Sequence, residues 1–377
     1  METFEITTQI KFGKGALGYL TSLHGQRVFI VTDPFMVKSG MINKVIDKLE
    51  AGSFEVFSEV VPDPPMELVT KGVEAVIAFK PNTMLALGGG SSIDAAKAIM
   101  DFSKKIGGLK DMTFIAIPTT SGTGSEVTSF AVITDHEKGV KYPLVSNSLL
   151  PDIAILEPEL VKSVPPDIVA DTGMDVLTHA IEAYVSTAAT DFSDALAEKA
   201  VELVFEYLKR SYESSEDMEA KEKMHNASCL AGIAFNLASL GINHAIAHNI
   251  GGKLHIPHGR TNALLLPYVI EFNADIEGFN PTHYTKAATK YAQLAKLVGL
   301  QGAHTRALVK NLVHEIIKMQ KEMKMPVTLK ACHITQEAVN EVKQDIAKGA
   351  LEDACMLTNP RTATTGNVLE ILHQITG

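Results

Sequence analysis

Four imidazoles, those of His244, His248, His255 and His258, crowd into the single stretch GINHAIAHNIGGKLHIPHGR (241–260) of a chain with only 13 histidines. His244 and His248 are four residues apart, so on a helix they share a face. His258 follows in a Pro-His-Gly turn. Upstream, DTGMDVLTHAIEAYV repeats the spacing with Asp175 and His179. Histidine is the commonest metal ligand, and imidazole with carboxylate suits a borderline divalent cation. Asp175, His179, His244, His248 and His258 are therefore candidate ligands. His255 sits in a turn and shares no face with them. Spacing does not rank these residues. Taken alone, Asp175 and His179 read more readily as the solvated side of an amphipathic helix. Glu182 lies on that side, and Leu177, Ala180, Ile181 and Tyr184 form the apolar one.

The elements that must carry these residues fall into two rhythms. Up to about residue 165, short apolar runs alternate with helical patterns. RVFIVTD (27–33), TMLALGGG (83–90) and TFIAIPTT (113–120) read as buried strands. GMINKVIDKLEAG and ELVTKGVEAVIAF between them have helical spacing. That alternation predicts a parallel sheet covered on both faces. After residue 165 the strands vanish. Ala197, Ala200, Val201, Val204 and Leu208 line one helical face, and Val309, Leu312, Val313 and Ile316 another. The expected organisation is an α/β domain over 1–165 and an all-helical domain over 166–377. SVPPDIVADTG (163–173), with its proline pair, is the expected hinge.

The first half has chemistry of its own. LALGGGSSIDAAKAIM is a strand, a glycine turn and a helix, in which Gly88, Gly89 and Gly90 permit close backbone approaches. Ser91 or Ser92 can cap the helix, and free N–H groups there would face an anion such as a pyrophosphate. The spacing is not G-x-G-x-x-G, and a tight turn that binds nothing would look the same. IPTTSGTGSEVT (117–128) also follows a strand and is crowded with glycine and hydroxyl residues. Two such loops at strand ends can converge on one nucleotide. Asp33 ends a third strand, where a carboxylate would accept from ribose hydroxyls and repel a 2′-phosphate. The same residue is equally suited to forming a turn before Pro34. Together the three strand ends favour NAD over NADP.

A formal charge of −10, from 34 Lys plus Arg against 44 Asp plus Glu, argues against nucleic acid or an anionic membrane as partner. The N-terminal METFEITTQIKFGKG has no basic, apolar signal pattern, and no apolar run is long enough to span a bilayer. Cys229, Cys332 and Cys355 are odd in number and far apart, which fits a reducing cytoplasm.

GGGSSIDAAK, PTTSGTGSEVT, GMDVLTHAIEAYVS and HAIAHNIGGKLHIPHGRTNALLLP, in this order and at these separations, resemble the iron-containing (group III) alcohol dehydrogenases. The likeness runs through CMLTNPRTATTGNVLEIL near the C-terminus. It implies an N-terminal α/β dinucleotide domain of Rossmann-like type, a helical C-terminal domain, and a site in the cleft between them. By the same likeness Asp175, His179, His244 and His258 match the metal ligands, and His248 matches a non-ligand catalytic histidine beside nicotinamide and substrate. Asp33, Gly88, Gly89, Gly90, Ser91, Ser92, Asp94, Thr119, Thr120 and Lys141 match the cofactor side. Phe130, Phe235 and Leu240 match positions bordering the substrate. LEPEL (156–160) departs from the family, which commonly has Asp where Glu157 stands.

The implied chemistry is NAD(H)-dependent interconversion of an alcohol and its aldehyde, with the cation as Lewis acid. Four protein ligands leave substrate as a fifth, which suits Fe²⁺ better than Zn²⁺, with Zn²⁺ still able to exchange in. The apolar Phe130, Phe235 and Leu240 point to a short primary alkanol. Within the family the pattern is similar to propanol dehydrogenases of diol-fermenting bacteria, with butanol enzymes close. That likeness implies a cytoplasmic homodimer or higher homo-oligomer, and association with a bacterial microcompartment. The rivals are a diol, glycerol or lactaldehyde enzyme of the same family, and a non-redox enzyme like dehydroquinate synthase. The latter needs several cations near the metal, where only Lys141, Lys253 and Arg260 stand close in sequence.

Overall fold

The computed structural model describes residues 3–109, 112–135, 140–276 and 283–377. The side chains of residues 135, 140 and 141 lie outside that description. The chain divides into two compact units, Met1–Ser163 and Val164–Gly377.

In the first unit the described residues form eight strands: β1 (Gln9–Phe12), β2 (Arg27–Thr32), β3 (Ser53–Phe57), β4 (Thr83–Gly88), β5 (Thr113–Pro118), β6 (Phe130–Asp135), β7 (Val140–Val145) and β8 (Ile153–Leu156). Its helices are α1 (Pro34–Lys38), α2 (Met41–Ile46), α3 (Met66–Phe79) and α4 (Gly90–Gly107). Six strands form one parallel sheet in the order β1-β8-β5-β4-β2-β3. Side chains alternate between its faces. Phe29, Val31, Met84, Ala86, Phe114 and Ala116 pack with residues of α3 and α4. Val28, Ile30, Leu85, Leu87, Ile115 and Ile117 pack against the Ala16–Leu23 turn, α1 and α2. Burial on both faces explains why β2, β4 and β5 are continuous apolar runs. Chain order reverses between β2 and β4, since β3 adds on one side and β5 on the other. A ligand site is expected outside the strand C-termini at such a switch point.

Two expectations need correction here. The helix expected over GMINKVIDKLEAG ends at Ile46, because the chain turns there to enter β3. The antiparallel pair β6–β7 lies outside the main sheet and has no counterpart in the sequence reading. Glu157, the family departure, is buried, and its Oε2 accepts from the N–H groups of Gly15 (2.9 Å) and Leu17 (3.3 Å). It holds the first turn of the Ala16–Leu23 segment.

In the second unit the described residues form nine α-helices: α5 (Pro166–Val185), α6 (Asp191–Glu213), α7 (Met218–Ala238), α8 (Ile242–Leu254), α9 (His258–Ala274), α10 (Lys286–Leu297), α11 (Thr305–Glu322), α12 (Gln336–Glu352) and α13 (Thr365–Thr376). Short 3₁₀ turns join some of them. The faces expected on α6 and α11 are buried. The expected hinge over 163–173 is mostly helix instead. Pro166 occupies the first turn of α5, where its fixed φ and missing N–H cost nothing. The break between units therefore falls just before the helix.

α5 also departs from the amphipathic reading. From Val169 to Val185 nearly every residue is buried, Asp175, His179 and Glu182 included. α6, α7 and α9 pack around it, so its polar side faces protein rather than solvent. No single helix among the described residues is long and apolar enough to cross a membrane. Cys229, Cys332 and Cys355 are all free thiols.

Candidate metal centre and nucleotide loops

At the switch point three strand ends come together within the first unit. Gly88 has φ +149°, and a β-carbon there would fall 2.4 Å from Ser92 Oγ and 3.3 Å from Asp33 Oδ2. A β-carbon on Gly89 would lie 3.3 Å from Thr120 Oγ1. The amide of Thr119 donates to the Gly88 carbonyl (3.0 Å). Asp33, the glycine turn and the Thr119–Thr120 loop are thus neighbours in space. The expected serine cap is absent. Gly89 is the N-cap of α4, and no side chain caps it, so Ser91 and Ser92 lie inside the first turn. An uncapped N-terminus leaves N–H groups for an anion, which a serine cap would have consumed.

Asp33 does cap a helix. Its Oδ1 accepts from the N–H groups of Phe35 (2.8 Å) and Met36 (3.1 Å) at the start of α1. Oδ2 faces the glycine turn. Asp94 is occupied with the neighbouring loop: it accepts from Ser125 Oγ (2.6 Å) and the Val132 N–H (3.0 Å), and burial pushes its carboxyl up. Lys97, one turn on, escaped the sequence reading. Its buried ammonium donates to the carbonyls of Thr128 and Phe130, each at 2.7 Å. Burial lowers Lys97 to about 8 and lifts Glu126 to about 7. Asp94 and Lys97 therefore tether the second loop to α4. Lys141 lies in β7 opposite Thr134, with its side chain outside the described residues.

In the second unit Asp175 and His179 of α5, His244 of α8 and His258, the first residue of α9, each offer a ligand atom, and these atoms all lie within 4.8 Å of one another. The imidazole of His179 stacks on that of His244 at 4.6 Å. His248 stands outside the group. Its ring stacks on His258 at 5.5 Å, and its Nδ1 lies 2.9 Å from Asp353 Oδ2. His255 ends α8 in a left-handed conformation, exposed to solvent. α9 can start this close to α5 because residue 259 is glycine. A β-carbon there would meet the Asp171 carbonyl oxygen at 2.2 Å. Arg260 reinforces the junction with a two-pronged bridge to Asp171, at 3.1 and 2.9 Å.

Two polar residues complete the cluster. Glu182, two turns after Asp175, accepts from the Asn243 N–H (2.7 Å) and the His244 N–H (3.3 Å), and lies 2.5 Å from His244 Nδ1. Burial lifts its carboxyl to about 8, against the pull of the Asn243, His244 and Gly241 N–H groups. Asn262 points its amide nitrogen at Asp175 Oδ1 (2.6 Å), His244 Nε2 (3.0 Å) and His258 Nε2 (3.1 Å). An amide donor there requires lone pairs on those atoms. Burial, with the imidazoles of His179, His258 and His248, holds His244 well below its usual range, so the ring is neutral. A set of neutral imidazoles and one carboxylate fits a divalent cation. The sequence signal for Glu182 was its helical register with Asp175 and His179, read above as solvated. Asn262 shares a face with His258 by the same i, i+4 rule.

The apolar candidates separate. Phe235 of α7 is buried, with its ring stacked on His179 at 4.6 Å. Leu240, in the α7–α8 turn, is buried, and its carbonyl accepts from Thr358 Oγ1 (2.6 Å). Phe130 belongs to the first unit, in β6.

A nucleotide-binding sheet and a Lewis-acid centre together provide one route to oxidising an alcohol by hydride transfer. A chain with the makings of both falls in the class of metal-dependent dehydrogenases. The profile described as "Iron-containing alcohol dehydrogenase" matches residues 7–158, and "Fe-containing alcohol dehydrogenase family, C-terminal" matches 169–376. The chain belongs to the iron-containing alcohol dehydrogenase family and is an oxidoreductase that interconverts alcohols and aldehydes. It is 45% identical to the 1-propanol dehydrogenase PduQ of Citrobacter freundii over 100% of both chains. It is 41% identical to the NADPH-dependent butanol dehydrogenase of Clostridium saccharobutylicum, over 99% of this chain and 97% of that one. The sulfoacetaldehyde reductase of Bifidobacterium kashiwanohense, solved in complex with NAD+, superposes with a TM-score of 0.85 at 30% identity. That match covers 100% of this chain and 99% of the other.

Proposed function

We propose that this alcohol dehydrogenase acts on short primary alcohols and their aldehydes, with propanal and 1-propanol the favoured pair, and works chiefly as an NADH-dependent aldehyde reductase. The observation that carries the reading is the convergence of Asp175, His179, His244 and His258 beside the buried ring of Phe235. These four residues would hold Fe²⁺, with Zn²⁺ as the exchangeable alternative. The bound cation supplies Lewis acidity at the carbonyl oxygen, and the bound nicotinamide supplies hydride. Gly88–Ser92 and the α4 N-terminus receive the pyrophosphate, with Thr119 and Thr120 beside it. Oδ2 of Asp33 accepts from the ribose hydroxyls. His248 exchanges the alcohol proton with solvent. Phe235 and Leu240 give the substrate chain an apolar wall without a partner for a second hydroxyl.

An unpaired buried hydroxyl costs about 1–3 kcal/mol, and each added buried methylene gains roughly 0.8 kcal/mol. Preference therefore rises from acetaldehyde to propanal or butanal, and falls for lactaldehyde and glyceraldehyde. The likeness to the 1-propanol dehydrogenase supports the same substrate class. The reading includes a cytoplasmic homo-oligomer associated with a bacterial microcompartment. The test is metal analysis of anaerobically purified protein, with kcat/KM for NADH-dependent reduction across the five aldehydes. Preference for lactaldehyde or glyceraldehyde would move the protein to the diol enzymes of the family.

A further inference from the structure

His248 has a partner that neither its helix nor the histidine stretch supplies. The chain returns to it at the end of α12, where Asp353 caps the following 3₁₀ turn, Ala354–Thr358. Asp353 Oδ1 accepts from the Cys355 N–H (2.8 Å), which fixes the carboxylate to its own backbone. The other oxygen, Oδ2, lies 2.9 Å from His248 Nδ1. The side chain of His248 is 40% exposed and that of Asp353 only 18%, so the buried partner holds the open one. An ionised carboxylate accepts and does not donate, and in neutral imidazole one nitrogen donates and the other accepts.

We propose that Asp353 is a positioning residue that fixes His248 as the Nδ1–H tautomer. Nε2 is then the basic nitrogen, on a ring held by its stacking over His258. Two contacts from different parts of the chain thus set the ring plane and the proton position. The inference rests on the reading of His248 as proton relay. In aldehyde reduction a charged His248 releases the proton on Nε2 to the oxygen as hydride reaches the carbon. The ring, neutral again, keeps its Nδ1 proton on Asp353 and regains the other from solvent. In the opposite tautomer Nε2 already carries the proton and cannot accept one during alcohol oxidation.

Asp353→Asn tests this without removing the cap. Its carbonyl oxygen stays on the Cys355 N–H, and its amide donates towards His248. That reversal moves the ring proton from Nδ1 to Nε2. The readout is ¹⁵N NMR of histidine-labelled, Zn²⁺-loaded protein, with the His248 signals assigned from His248→Gln. The expected result is a protonated Nδ1 and bare Nε2 in the unsubstituted protein, exchanged in Asp353→Asn. The variant's kcat for 1-propanol oxidation should fall by about 100-fold, the low end of what positioned proton transfer contributes. Its metal content and KM for NAD should be unchanged. The same tautomer in both proteins would overturn the proposal. So would a second metal ion lost on substitution, since His248, Asp353 and Cys355 would then be its ligands. Exchanged tautomers with an unchanged kcat would uphold the role of Asp353 and remove the relay role from His248, which separates the two failures.

Discussion

Replacing Glu182 with glutamine exchanges one oxygen for an NH₂ group and should weaken the protein's hold on its metal. Oε1 accepts from the Asn243 N–H at 2.7 Å, while Oε2 faces two groups of His244, its N–H at 3.3 Å and Nδ1 at 2.5 Å. Burial lifts the Glu182 carboxyl to about 8, so it accepts the Nδ1 proton as a carboxylate only above that pH or with a cation on Nε2. A glutamine keeps its carbonyl oxygen on Asn243 and turns its NH₂ towards His244. Nδ1 must then accept, so the ring proton moves to Nε2, the atom that faces His258 and Asp175. A protonated nitrogen has no lone pair for a cation. Carboxylates behind metal-bound histidines are typically worth about 10–100-fold in metal affinity, or roughly 1.4–2.8 kcal/mol. The fold should pay less. One buried backbone N–H, that of His244, loses its acceptor, at about 1–3 kcal/mol. For a unit of this size that lowers the metal-free Tm by roughly 2–12 °C.

The assay is anaerobic competition between protein and a chromophoric chelator for Zn²⁺ and Fe²⁺, alongside thermal unfolding of the metal-free protein. The two readouts divide the explanations. A lower Tm with unsubstituted metal affinity would make Glu182 a structural brace between α5 and α8 and refute the tautomer argument. Glu182→Leu provides the contrast. It removes every acceptor at once and should lose both metal and stability.

Three further outcomes follow from the same geometry. His258→Ala should abolish metal retention and turnover, because it removes the ligand at the start of α9, and leave NADH binding by fluorescence titration intact; activity in the metal-free variant would contradict the assignment. Asp33→Gly should raise the NADP-to-NAD ratio of kcat/KM by about 10–100-fold, equivalent to ~1–3 kcal/mol, while glycine still serves as a cap for α1 at a cost of a few tenths of a kcal/mol; an unmoved ratio would leave Asp33 as a cap alone. Glu126 binds its proton more tightly folded than unfolded, since burial lifts it from 4.5 to about 7, so its contribution is full below pH 4.5 and is lost as the pH rises through 7. Glu126→Gln should therefore gain stability relative to the unsubstituted protein across that window in thermal unfolding curves, and parallel pH profiles would rule out the ionisation.

Much of the sheet was readable because parallel strands buried on both faces leave continuous apolar runs, as in β2, β4 and β5. β6 and β7 left no such trace. They lie outside the main sheet, and their sequence mixes apolar residues with Thr, Asp, Lys and Pro. The helical unit was readable from the stripes of α6 and α11, which bury one side only. α5 defeated that logic. Its stripe is real, but both sides are buried, so periodicity marked Leu177 and Ile181 as core and Asp175, His179 and Glu182 as surface. Asp353 was out of reach for another reason. Its partner His248 is over a hundred positions away, and nothing local to Glu352-Asp353-Ala354 distinguishes a cap from a histidine's anchor.

The buried polar side of α5 carries a physical constraint that links these observations. Carboxylates and imidazoles taken out of water are costly unless each finds a partner. Here Asp175 accepts from Asn262, and Glu182 accepts from α8. The Nε2 atoms of His244 and His258 also face the Asn262 amide. One amide has two protons for these three acceptors, so Asn262 cannot donate fully to all of them at once. A divalent cation held as proposed would meet a ligand atom of each of the four residues and neutralise the carboxylate. The same arrangement that draws these groups together out of water suits a cation, and it gives α5 a reason to keep its polar stripe buried.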